Sequence, residues 1–591
     1  MADLCPERLL DQQQSFVRSR VPSGVAHGPG GQQRDAQGVA RGVVLSSRAT
    51  DDQPAEEARR DERAGRMPNS RMAHEYLPVP DAGTSQPERS RQPIMTGAPP
   101  CPARNIEPSR SNFDPPPRPD HRDEQPRANA MSQQRDHWNS NLGFVLAATG
   151  SAIGLGNLWK FPFITWENNG GAFVLVYLVC IAAVGLPIMM AELMIGRRSQ
   201  KSAVGALKAV AGPAWGVVGG WGVICAFILL SYYTVIAGWS IYYFARTMEW
   251  SFSGFPAGLA TGDLFGEQVG NAGLQLALSL SFSVGTVAVV YFGVSKGIER
   301  IARIFLPILF GILLLLLVSA LGMSGSGEAL RFIFRPNFAE LNPDSVLEAL
   351  GHSFFTLSLG MCAMITYGSY IARHHSIVKA SAMIVVLDTV IALVATIIMF
   401  SVIFSVAGMS EQVGGSTVGM LFISLPELFY SEVPFGALLG PLFYVLIALA
   451  ALTSTISLLE VVVSYVIDER GIARNRATFL CGGAIFVFTI FAALSFTGTP
   501  FFATLELFAE KVGWFSTADH FVSNWMLPTG GLAITLAAGW FISRKVSESE
   551  LVDGNQPRWF HYETWRFFIR YVAPIAVAAI IIAVLFGVDF S

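Results

Sequence analysis

Two glycines, a serine and an asparagine interrupt an apolar segment that is long enough to cross a membrane. The segment GSAIGLGNLWKFP runs from Gly150 to Pro162, and each glycine in a helix costs about 1 kcal/mol relative to alanine. A break here would leave backbone N–H groups free to bind an anion and carbonyl oxygens free to bind a cation. Small residues also permit close helix packing in membranes, and the glycines alone favour that simpler explanation.

A second apolar segment is interrupted in the same way. It runs from His352 to Tyr370 and carries Thr356, Ser358 and Gly360 near its middle. Discontinuous helices in corresponding positions of two repeats are typical of transporters, where they bind solute and ion near mid-membrane. The pair of breaks therefore favours a central binding site over close packing.

The composition places both segments in a membrane protein. Hydrophobic residues make up 51% of the chain and charged residues 14%, whereas soluble domains carry about 25% charged residues. Apolar segments near the ~20 residues that cross a bilayer follow one another from Asn141 onward. No alternating pattern indicates strands, so we predict an all-helical membrane domain with about eleven spans. The predicted spans are Leu142–Phe161, Ala172–Ile195, Trp215–Ala245, Leu274–Val294, Ile304–Leu321, Val346–Ile371, Val378–Val406, Phe435–Ile467, Ala477–Phe496, His520–Ile542 and Phe567–Phe586.

Short loops rich in lysine and arginine set the expected orientation. Basic residues follow the second, fourth, eighth and tenth spans and flank the turn between the sixth and seventh, so the positive-inside rule makes those loops cytoplasmic. The opposite loop Gly408–Pro434 carries glutamates but no lysine or arginine. We therefore expect a cytoplasmic N-terminus and an extracytoplasmic Ser591. The basic residues are Arg197, Arg198, Lys201, Lys296, Arg300, Arg303, Arg373, Lys379, Arg470, Arg474, Arg476, Arg544 and Lys545.

The first 130 residues differ from the rest of the chain. They are rich in arginine, proline, glutamine and glycine and lack an apolar period that could bury a core, so we expect residues 1–130 to be a disordered extension and residues 131–591 to form the membrane domain. The polar lead that begins at Met131 is typical of a natural protein start, and the alternative is a genuine cytoplasmic tail. The six cysteines are scattered without metal-ligand spacing, so we predict neither a disulfide nor a zinc site.

Six motifs occur in the membrane domain in the order and with the spacing of one family. They are GSAIGLGNLWKFP, ENNGGAF, SYY, VSKGIERIARIFLP, FFTLSLG and ALTSTISLLE. From about Arg135 to its end, the chain resembles the neurotransmitter:sodium symporters of the bacterial leucine-transporter type. The resemblance implies two inverted five-helix repeats, an eleventh peripheral helix, and first and sixth helices that are unwound at mid-membrane. It also implies a secondary active transporter of the bacterial inner membrane that takes up an amino acid with sodium by alternating access, with no enzymatic activity, organic cofactor or nucleic-acid partner.

The resemblance also implies where an amino acid binds. Its carboxylate would meet the amides of the first break and the hydroxyl of Tyr233, and its ammonium group would meet carbonyls of both breaks. Phe355 would form an aromatic lid, and Met361, where the leucine transporter has phenylalanine, would be a flexible wall for a larger group. We therefore expect a neutral hydrophobic or aromatic substrate such as tryptophan, tyrosine or leucine. The implied substrate-binding residues are Ala152, Gly154, Leu155, Gly156, Tyr233, Phe355, Thr356, Ser358, Met361, Ser454 and Leu458.

Two sodium sites are implied, each built from the hard oxygen ligands that such cations prefer. The substrate carboxylate would complete the first site and so couple ion to solute. Hydroxyl groups in membranes also commonly form interhelical hydrogen bonds, but the motif favours sodium. The first site is implied at Ala152, Asn157, Thr356 and Asp388. The second site is implied at Gly150, Ile153, Ala450, Thr453 and Ser454.

Several acidic and titratable side chains depart from the family pattern or lie inside spans. Asp388 stands where the leucine-transporter pattern has asparagine, and Ala392 stands one turn later where some chloride-independent relatives carry an acid. We hypothesise that Asp388 supplies the negative charge that chloride provides elsewhere, which makes transport independent of chloride. His352 replaces a commoner glutamine and is interpreted as structural. Glu192 and Glu460 are costly inside a membrane unless they are paired or functional.

The resemblance implies a gate on each side of the substrate site. Lys160 with Asp519 would close the outer side, and Arg135 with Asp468 the inner side. Trp138, Ser369 and Tyr370 would support the inner gate. Lysine lacks the fork of the arginine that is commoner at position 160, so we expect a weaker outer gate. The alternative for Lys160 is snorkelling to the membrane surface.

Two other classes of protein also place polar residues in a membrane. An ion channel needs a continuous pore, usually in an oligomer, whereas the polar residues here cluster at one depth. An intramembrane hydrolase needs a nucleophile beside a base, and no GxSxG-type serine lies within a predicted span. Both alternatives are weaker than a carrier whose partners are a small amino acid and the lipid bilayer.

Overall fold

Long apolar runs form α-helices in this chain because backbone polar groups in a membrane must be satisfied within their own segment. A computed structural model describes residues 136–406, 419–431, 433–508, 511–552 and 554–590. Within these ranges the regular structure is helical, apart from one isolated bridge between Glu506 and Val512. The expected disordered extension over residues 1–130 and the start at Met131 lie outside the described residues.

The helices are numbered here in chain order. They are α1 Asn141–Ala152, α2 Gly156–Glu167, α3 Gly171–Ser199, α4 Ala203–Ala211, α5 Pro213–Ser253, α6 Thr261–Gly270, α7 Ala272–Tyr291, α8 Val294–Leu321, α9 Ser326–Phe334, α10 Pro343–Thr356, α11 Ala363–Gly368, α12 Ile377–Ser405, α13 Met420–Ser431, α14 Gly436–Arg470, α15 Arg474–Leu494, α16 Pro500–Thr504, α17 Trp514–Phe541, α18 Arg544–Leu551 and α19 Tyr562–Leu585.

Eight to ten segments among the described residues have the length and composition of membrane spans, and with the interrupted sixth span described below they agree with the predicted all-helical architecture. Eight helices are each long and apolar enough to cross a membrane. The pair α1 and α2 forms a span bent by 53°, and α17 with α18 forms another that is bent by 105°. The interrupted pair α10 and α11 supplies the sixth span in sequence order, with 14 and 6 helical residues on the two sides of its break.

The predicted boundary between the fourth and fifth spans was wrong. We predicted that the fourth span ends at Val294 and the fifth begins at Ile304, but α7 ends at Tyr291 and α8 begins at Val294. Gly293 has a φ of 84°, a conformation that glycine adopts readily and that ends one helix before the next begins. The basic residues predicted in this loop therefore lie on the first turns of α8.

The break in the first span is short. Ser140 caps α1 by accepting a hydrogen bond from the Gly143 amide at 2.9 Å, and the helix ends at Ala152. Ile153 then adopts an extended conformation with ψ of 102°, and α2 begins at Gly156. The interruption therefore coincides with the glycines that suggested it.

The break in the sixth span is longer and has a different backbone. Asn342 caps α10 by accepting a hydrogen bond from the Ser345 amide at 2.7 Å. Between α10 and α11, Ser358, Gly360 and Cys362 all have positive φ angles, of 54°, 82° and 63°. Such a run cannot continue a right-handed helix. Backbone groups of both breaks therefore lack their regular helical partners near the middle of the bundle.

The surrounding helices hold the two breaks together. Helix α14 packs along α5 and also contacts α1, while α12 packs against both α1 and α2. The linker of the sixth span lies close to α17, since an added Cβ on Gly360 would overlap the backbone of Leu527. Both breaks are thus enclosed by long, continuous helices.

Candidate functional site

A cavity with about 360 Å³ of empty space lies between the two breaks. Ten of the eleven residues implied for the substrate line it, and the exception is Leu155. The structure thus brings together residues from four separate spans that the sequence analysis assigned to one site. The lining residues are Ser151, Ala152, Gly154, Gly156, Leu229, Tyr233, Phe355, Thr356, Ser358, Met361, Ser454, Ser457 and Leu458.

One amide of the first break, that of Leu155, faces Tyr233. The Leu155 N–H donates to the Tyr233 hydroxyl at 2.9 Å, and the Gly154 N–H donates to Asn157 Oδ1 at 3.0 Å. A Cβ added to Gly154 would lie 2.9 Å from the Tyr233 hydroxyl and 2.8 Å from Ser454 Oγ. Glycine is therefore needed at this position because the hydroxyls approach the backbone closely.

Three lining residues were missed by the sequence analysis. Leu229 lies one helical turn before Tyr233 on α5, and Ser457 lies one turn after Ser454 on α14. Ser151 Oγ donates to Ser457 Oγ at 2.8 Å, and its carbonyl accepts from Ser358 Oγ at 2.9 Å. Helical spacing from Tyr233 and Ser454 was the signal that could have identified the first two.

The side chains of the first implied sodium site form one buried cluster. Asp388 Oδ1 accepts hydrogen bonds from Asn157 Nδ2 at 2.7 Å and from Thr356 Oγ1 at 3.0 Å. Asn157 Nδ2 also donates to Thr356 Oγ1 at 2.9 Å, and all three residues are at most 1% exposed. Ala152, the fourth implied member, lies on the cavity wall beside this cluster. The cluster presents carboxylate and hydroxyl oxygens, which suit a hard cation.

The residues of the second implied sodium site lie between α1 and α14. Ser454 Oγ is 3.3 Å from the Ile153 carbonyl, and Thr453 Oγ1 is 2.9 Å from the Ala450 carbonyl. A Cβ added to Gly150 would lie 3.1 Å from the Cβ of Thr453. Carbonyl and hydroxyl oxygens from both helices therefore converge at this point.

The outer pair implied for the gate is not formed in this structure. Within the described ranges, no ion pair joins Lys160 to Asp519. Lys160 Nζ donates instead to the Phe590 carbonyl at 2.7 Å. Asp519 Oδ1 accepts from the Tyr232 hydroxyl at 2.9 Å and from Ser523 Oγ at 3.2 Å. The sequence analysis missed the approach of the segment around Phe590, which supplies the competing acceptor.

The inner gate is described in part. Arg135 lies outside the described residues, and Asp468 Oδ2 accepts from the Ser202 amide at 2.6 Å. The Trp138 indole N–H donates to the Tyr367 carbonyl at 3.1 Å, and the Trp138 ring meets the Tyr370 ring edge-on at 6.3 Å. The side chains of Trp138 and Tyr370 therefore pack against each other at the predicted inner side. Ser369 is buried beside them, with its hydroxyl donating to a carbonyl one turn earlier.

The two intramembrane glutamates have partners that the sequence analysis did not identify. Glu460 accepts from both terminal nitrogens of Arg474 at 2.8 and 2.9 Å and from the Tyr370 hydroxyl at 2.7 Å. Glu192 Oε1 accepts from the Gly360 amide at 2.9 Å. The buried carboxylate of Glu460 therefore forms a partly exposed ion pair with Arg474 at the inner side, and Glu192 holds the linker of the sixth span.

His352 lies beside the outer side of the cavity. It is 3% exposed, and its ring stacks on Phe161 with centroids 5.5 Å apart. Neither ring nitrogen has a hydrogen-bond partner among the described residues. Its aromatic packing agrees with the structural role that we expected.

Comparisons with known proteins agree with this geometry. A model of the sodium:neurotransmitter symporter family matches residues 135–253 and 264–589. The uncharacterised sodium-dependent transporter YhdH of Bacillus subtilis is 37% identical over 454 residues, covering 76% of this chain and 97% of the relative. The sodium-dependent transporter MJ1319 of Methanocaldococcus jannaschii is 29% identical over 464 residues, with 76% and 90% covered.

A solved structure shows the same fold. The crystal structure of MhsT in complex with L-phenylalanine is similar with a TM-score of 0.69 at 37% sequence identity, covering 76% of this chain and 99% of MhsT. The family and structural neighbours are membrane transporters, so this chain is a sodium-coupled carrier and not an enzyme. The chain belongs to the sodium:neurotransmitter symporter family.

Proposed function

We propose that this chain carries a neutral hydrophobic or aromatic amino acid into the cell together with sodium, by alternating access. The observation that carries the proposal is a central cavity lined by two kinds of group. Backbone of both breaks and the Tyr233 hydroxyl are polar and are here called the polar end, and Leu229, Phe355, Met361 and Leu458 are apolar and are here called the apolar end. Among the described residues, no charged side chain lines this cavity. A charged substrate side chain would therefore lose its hydration without gaining a partner.

The polar end suits the main-chain groups of an amino acid. Amides at the start of α2 lie at a helix N-terminus, whose partial positive charge favours a carboxylate. Carbonyls at the ends of α1 and α10 lie at helix C-termini, which favour an ammonium group. The two breaks thus supply opposite polarities at one place, and this arrangement supports binding of a zwitterion.

Sodium is proposed as co-transported cargo at two places. The first is the cluster of Asn157, Thr356 and Asp388, completed by the substrate carboxylate and the Ala152 carbonyl. This shared carboxylate would make the binding of ion and amino acid depend on each other. The buried carboxylate of Asp388 supports transport without chloride, because a fixed negative charge is already present beside the cation.

The second sodium is proposed between α1 and α14. Its ligands would be the carbonyls of Gly150, Ile153 and Ala450 and the hydroxyls of Thr453 and Ser454. A cation here would join the two helices at a point where the direct contact, from Ser454 Oγ to the Ile153 carbonyl, is 3.3 Å long. Binding of sodium would therefore favour the conformation in which these helices approach each other.

Two further observations support the choice of the first substrate to test and the proposed orientation of the chain in the membrane. The structure of MhsT holds L-phenylalanine, which makes phenylalanine the first compound to test. The basic loops support placement in the bacterial inner membrane with a cytoplasmic N-terminus and an extracytoplasmic C-terminus.

The test is uptake by the purified protein in proteoliposomes. With an inward sodium gradient, we expect saturable uptake of labelled phenylalanine that tryptophan, tyrosine and leucine inhibit and that is unchanged when gluconate replaces chloride. Equal inhibition by acidic or basic amino acids, or uptake without sodium, would overturn the proposal. Current that does not saturate with substrate would indicate a channel instead.

A matched pair of variants tests the apolar end. Leu229→Phe should fill part of the cavity and weaken aromatic substrates more than small aliphatic ones, because Leu229 lines the cavity. Ile224→Phe is the control on the same helix, since Ile224 is 52% exposed on the outside of the bundle. Equal effects of the two variants would argue against this part of the site.

A further inference from the structure

The segment after the last helix turns back toward the protein. At the end of α19, the Val588 amide donates to the Ala583 carbonyl at 3.0 Å and the Gly587 amide donates to the Val584 carbonyl at 3.0 Å. This is the pattern of a Schellman motif, which needs a left-handed residue at its C′ position. Gly587 supplies it, with a φ of 94°. The chain then reverses direction, and residues Gly587–Phe590 are named here the outer strap.

The outer strap enters a second cavity above the substrate site. This outer cavity of about 320 Å³ shares Phe355 with the central cavity. Phe590 forms part of its wall and is 8% exposed. The other lining residues are Lys160, Ile164, Glu348, Gly351, His352, Ser523 and Leu527. The strap thus lies on the path between Phe355 and the predicted outer face of the membrane.

Both backbone groups of Phe590 are held by side chains. Its amide donates to Asn524 Oδ1 at 2.8 Å, and its carbonyl accepts from Lys160 Nζ at 2.7 Å. The Lys160 ammonium also lies 5.2 Å from the centre of the Phe355 ring. One lysine on α2 therefore connects the aromatic lid of the central cavity to the strap.

The Asp589 carboxylate provides a second anchor. It forms an ion pair with Lys511 and accepts from Asn524 Nδ2 at 2.6 Å, and it lies 3.3 Å from His520 Nδ1. The strap is therefore bound at two consecutive residues by groups from α2, α17 and the loop before α17. A free tail would not be expected to make contacts on three elements at once.

We propose that the outer strap is a lid on the outer cavity, which must leave before an amino acid can reach the central cavity from outside. In this closed state Lys160 donates to the Phe590 carbonyl. The Asp519 carboxylate accepts a hydrogen bond from Tyr232 and, in the part of the chain that the structure describes, does not pair with Lys160. The proposal rests on the function proposed above only for the identity of the transported solute.

A disulfide lock tests whether the strap has to move. A Cβ added to Gly351 would lie 3.9 Å from the Cβ of Phe590, which is within the range found in disulfides. The variant Gly351→Cys with Phe590→Cys is made in a background in which Cys5 and Cys101 are replaced by serine. We expect oxidation to reduce sodium-driven phenylalanine uptake at least tenfold and a reductant to restore it.

The controls separate the lid from other effects. Each single cysteine variant should transport within twofold of the parent under oxidising conditions. Full transport by protein whose cross-link is verified by mass spectrometry would overturn the proposal. Failure of the disulfide to form would overturn the placement of the strap. If even the reduced protein does not transport phenylalanine, the proposed solute is wrong. The thiol-labelling measurement below then tests the lid without a substrate.

Thiol labelling measures the lid without any substrate. Ile164 lines the outer cavity and is 2% exposed, so Ile164→Cys should react slowly with a membrane-impermeant maleimide. Adding Asp589→Asn and Phe590→Ala should raise the labelling rate at least threefold, because the carboxylate anchor and the side chain that forms part of the cavity wall are removed. The matched control is Asp263→Asn with Phe252→Ala, two exposed residues, and it should leave the rate unchanged. An equal rate in strap and control variants would overturn the proposal.

Discussion

Replacing Gly154 by alanine tests whether the first break exists to bring a backbone amide and a hydroxyl together. A methyl group at this position would lie 2.8 Å from Ser454 Oγ and 2.9 Å from Tyr233 Oη, so at least one hydroxyl must move. Moving Tyr233 breaks the hydrogen bond from the Leu155 amide, now 2.9 Å long. An unpaired buried amide costs about 1 to 3 kcal/mol. If the complex with substrate is destabilised by this amount, the affinity for phenylalanine drops by about 5- to 150-fold.

The assay is equilibrium binding of labelled phenylalanine to the purified protein at saturating sodium. Gly285→Ala on α7 is the control, because an added Cβ there meets no atom within 4 Å. We expect Gly154→Ala to raise the Kd at least fivefold and Gly285→Ala to leave it unchanged. In the double variant Gly154→Ala with Tyr233→Phe, the two effects should be less than additive, since the displaced hydroxyl is already absent. A Kd for Gly154→Ala within twofold of the parent would refute the reasoning.

Three further predictions concern the ion sites and the inner side. Ser454→Ala should raise the sodium concentration for half-maximal uptake about tenfold, because it removes a sodium ligand. The control is Ser464→Ala, whose hydroxyl bonds to a carbonyl of its own helix and which should leave that concentration unchanged. Equal effects of the two variants would argue against Ser454 as a sodium ligand. Asp388→Asn should weaken sodium activation by about tenfold or more, and chloride-dependent uptake by the parent protein would contradict the proposed role of its charge. Arg474→Met leaves Glu460 buried without its cation, at a cost of about 3 to 5 kcal/mol of folding free energy, so the Tm in a thermal-shift assay should fall. Adding Glu460→Gln should recover most of this loss in Tm. A further fall in Tm would contradict the pairing of Arg474 with Glu460.

The positions of both breaks could be predicted from local sequence. Glycine and hydroxyl residues in an apolar run weaken a helix wherever they occur, and α1 ends within two residues of Gly154. The detailed backbone could not be predicted in the same way. Ser358 and Cys362 adopt positive φ angles that these residue types rarely adopt, and Gly360 between them contacts Glu192 on α3 and the backbone of Leu527 on α17.

Charged partners were harder to predict than apolar ones. From the sequence, Arg474 was interpreted only as a basic residue near the end of a span, which indicated a cytoplasmic loop. In the structure it is the partly buried partner of Glu460, because the turn between α14 and α15 places the two side chains side by side. Hydropathy records that a charge is present near a span, but pairing depends on how two helices cross.

The partner of Lys160 shows the same limit at longer range. The resemblance pointed to Asp519, and both residues lie on the expected helices. The acceptor that Lys160 uses belongs to Phe590, 430 residues away in the sequence, and it comes within reach only because Gly587 reverses the chain. A turn residue after the final helix was the available signal, yet it indicates a turn without showing where the following residues bind.

The sixth span connects the two closed ends of the transport path. On α10, Gly351 and Phe355 face the outer strap and its lysine, whereas Tyr370, just after α11, bonds to Glu460 at the inner side. The linker between these helices is held by side-chain and backbone contacts, among them the hydrogen bond that Glu192 accepts from the Gly360 amide. A movement of α10 that releases the strap is therefore not transmitted rigidly to Tyr370, because the backbone between them is not helical. This is a physical reason for a broken helix in a carrier, since the outer end can open while the inner end stays closed.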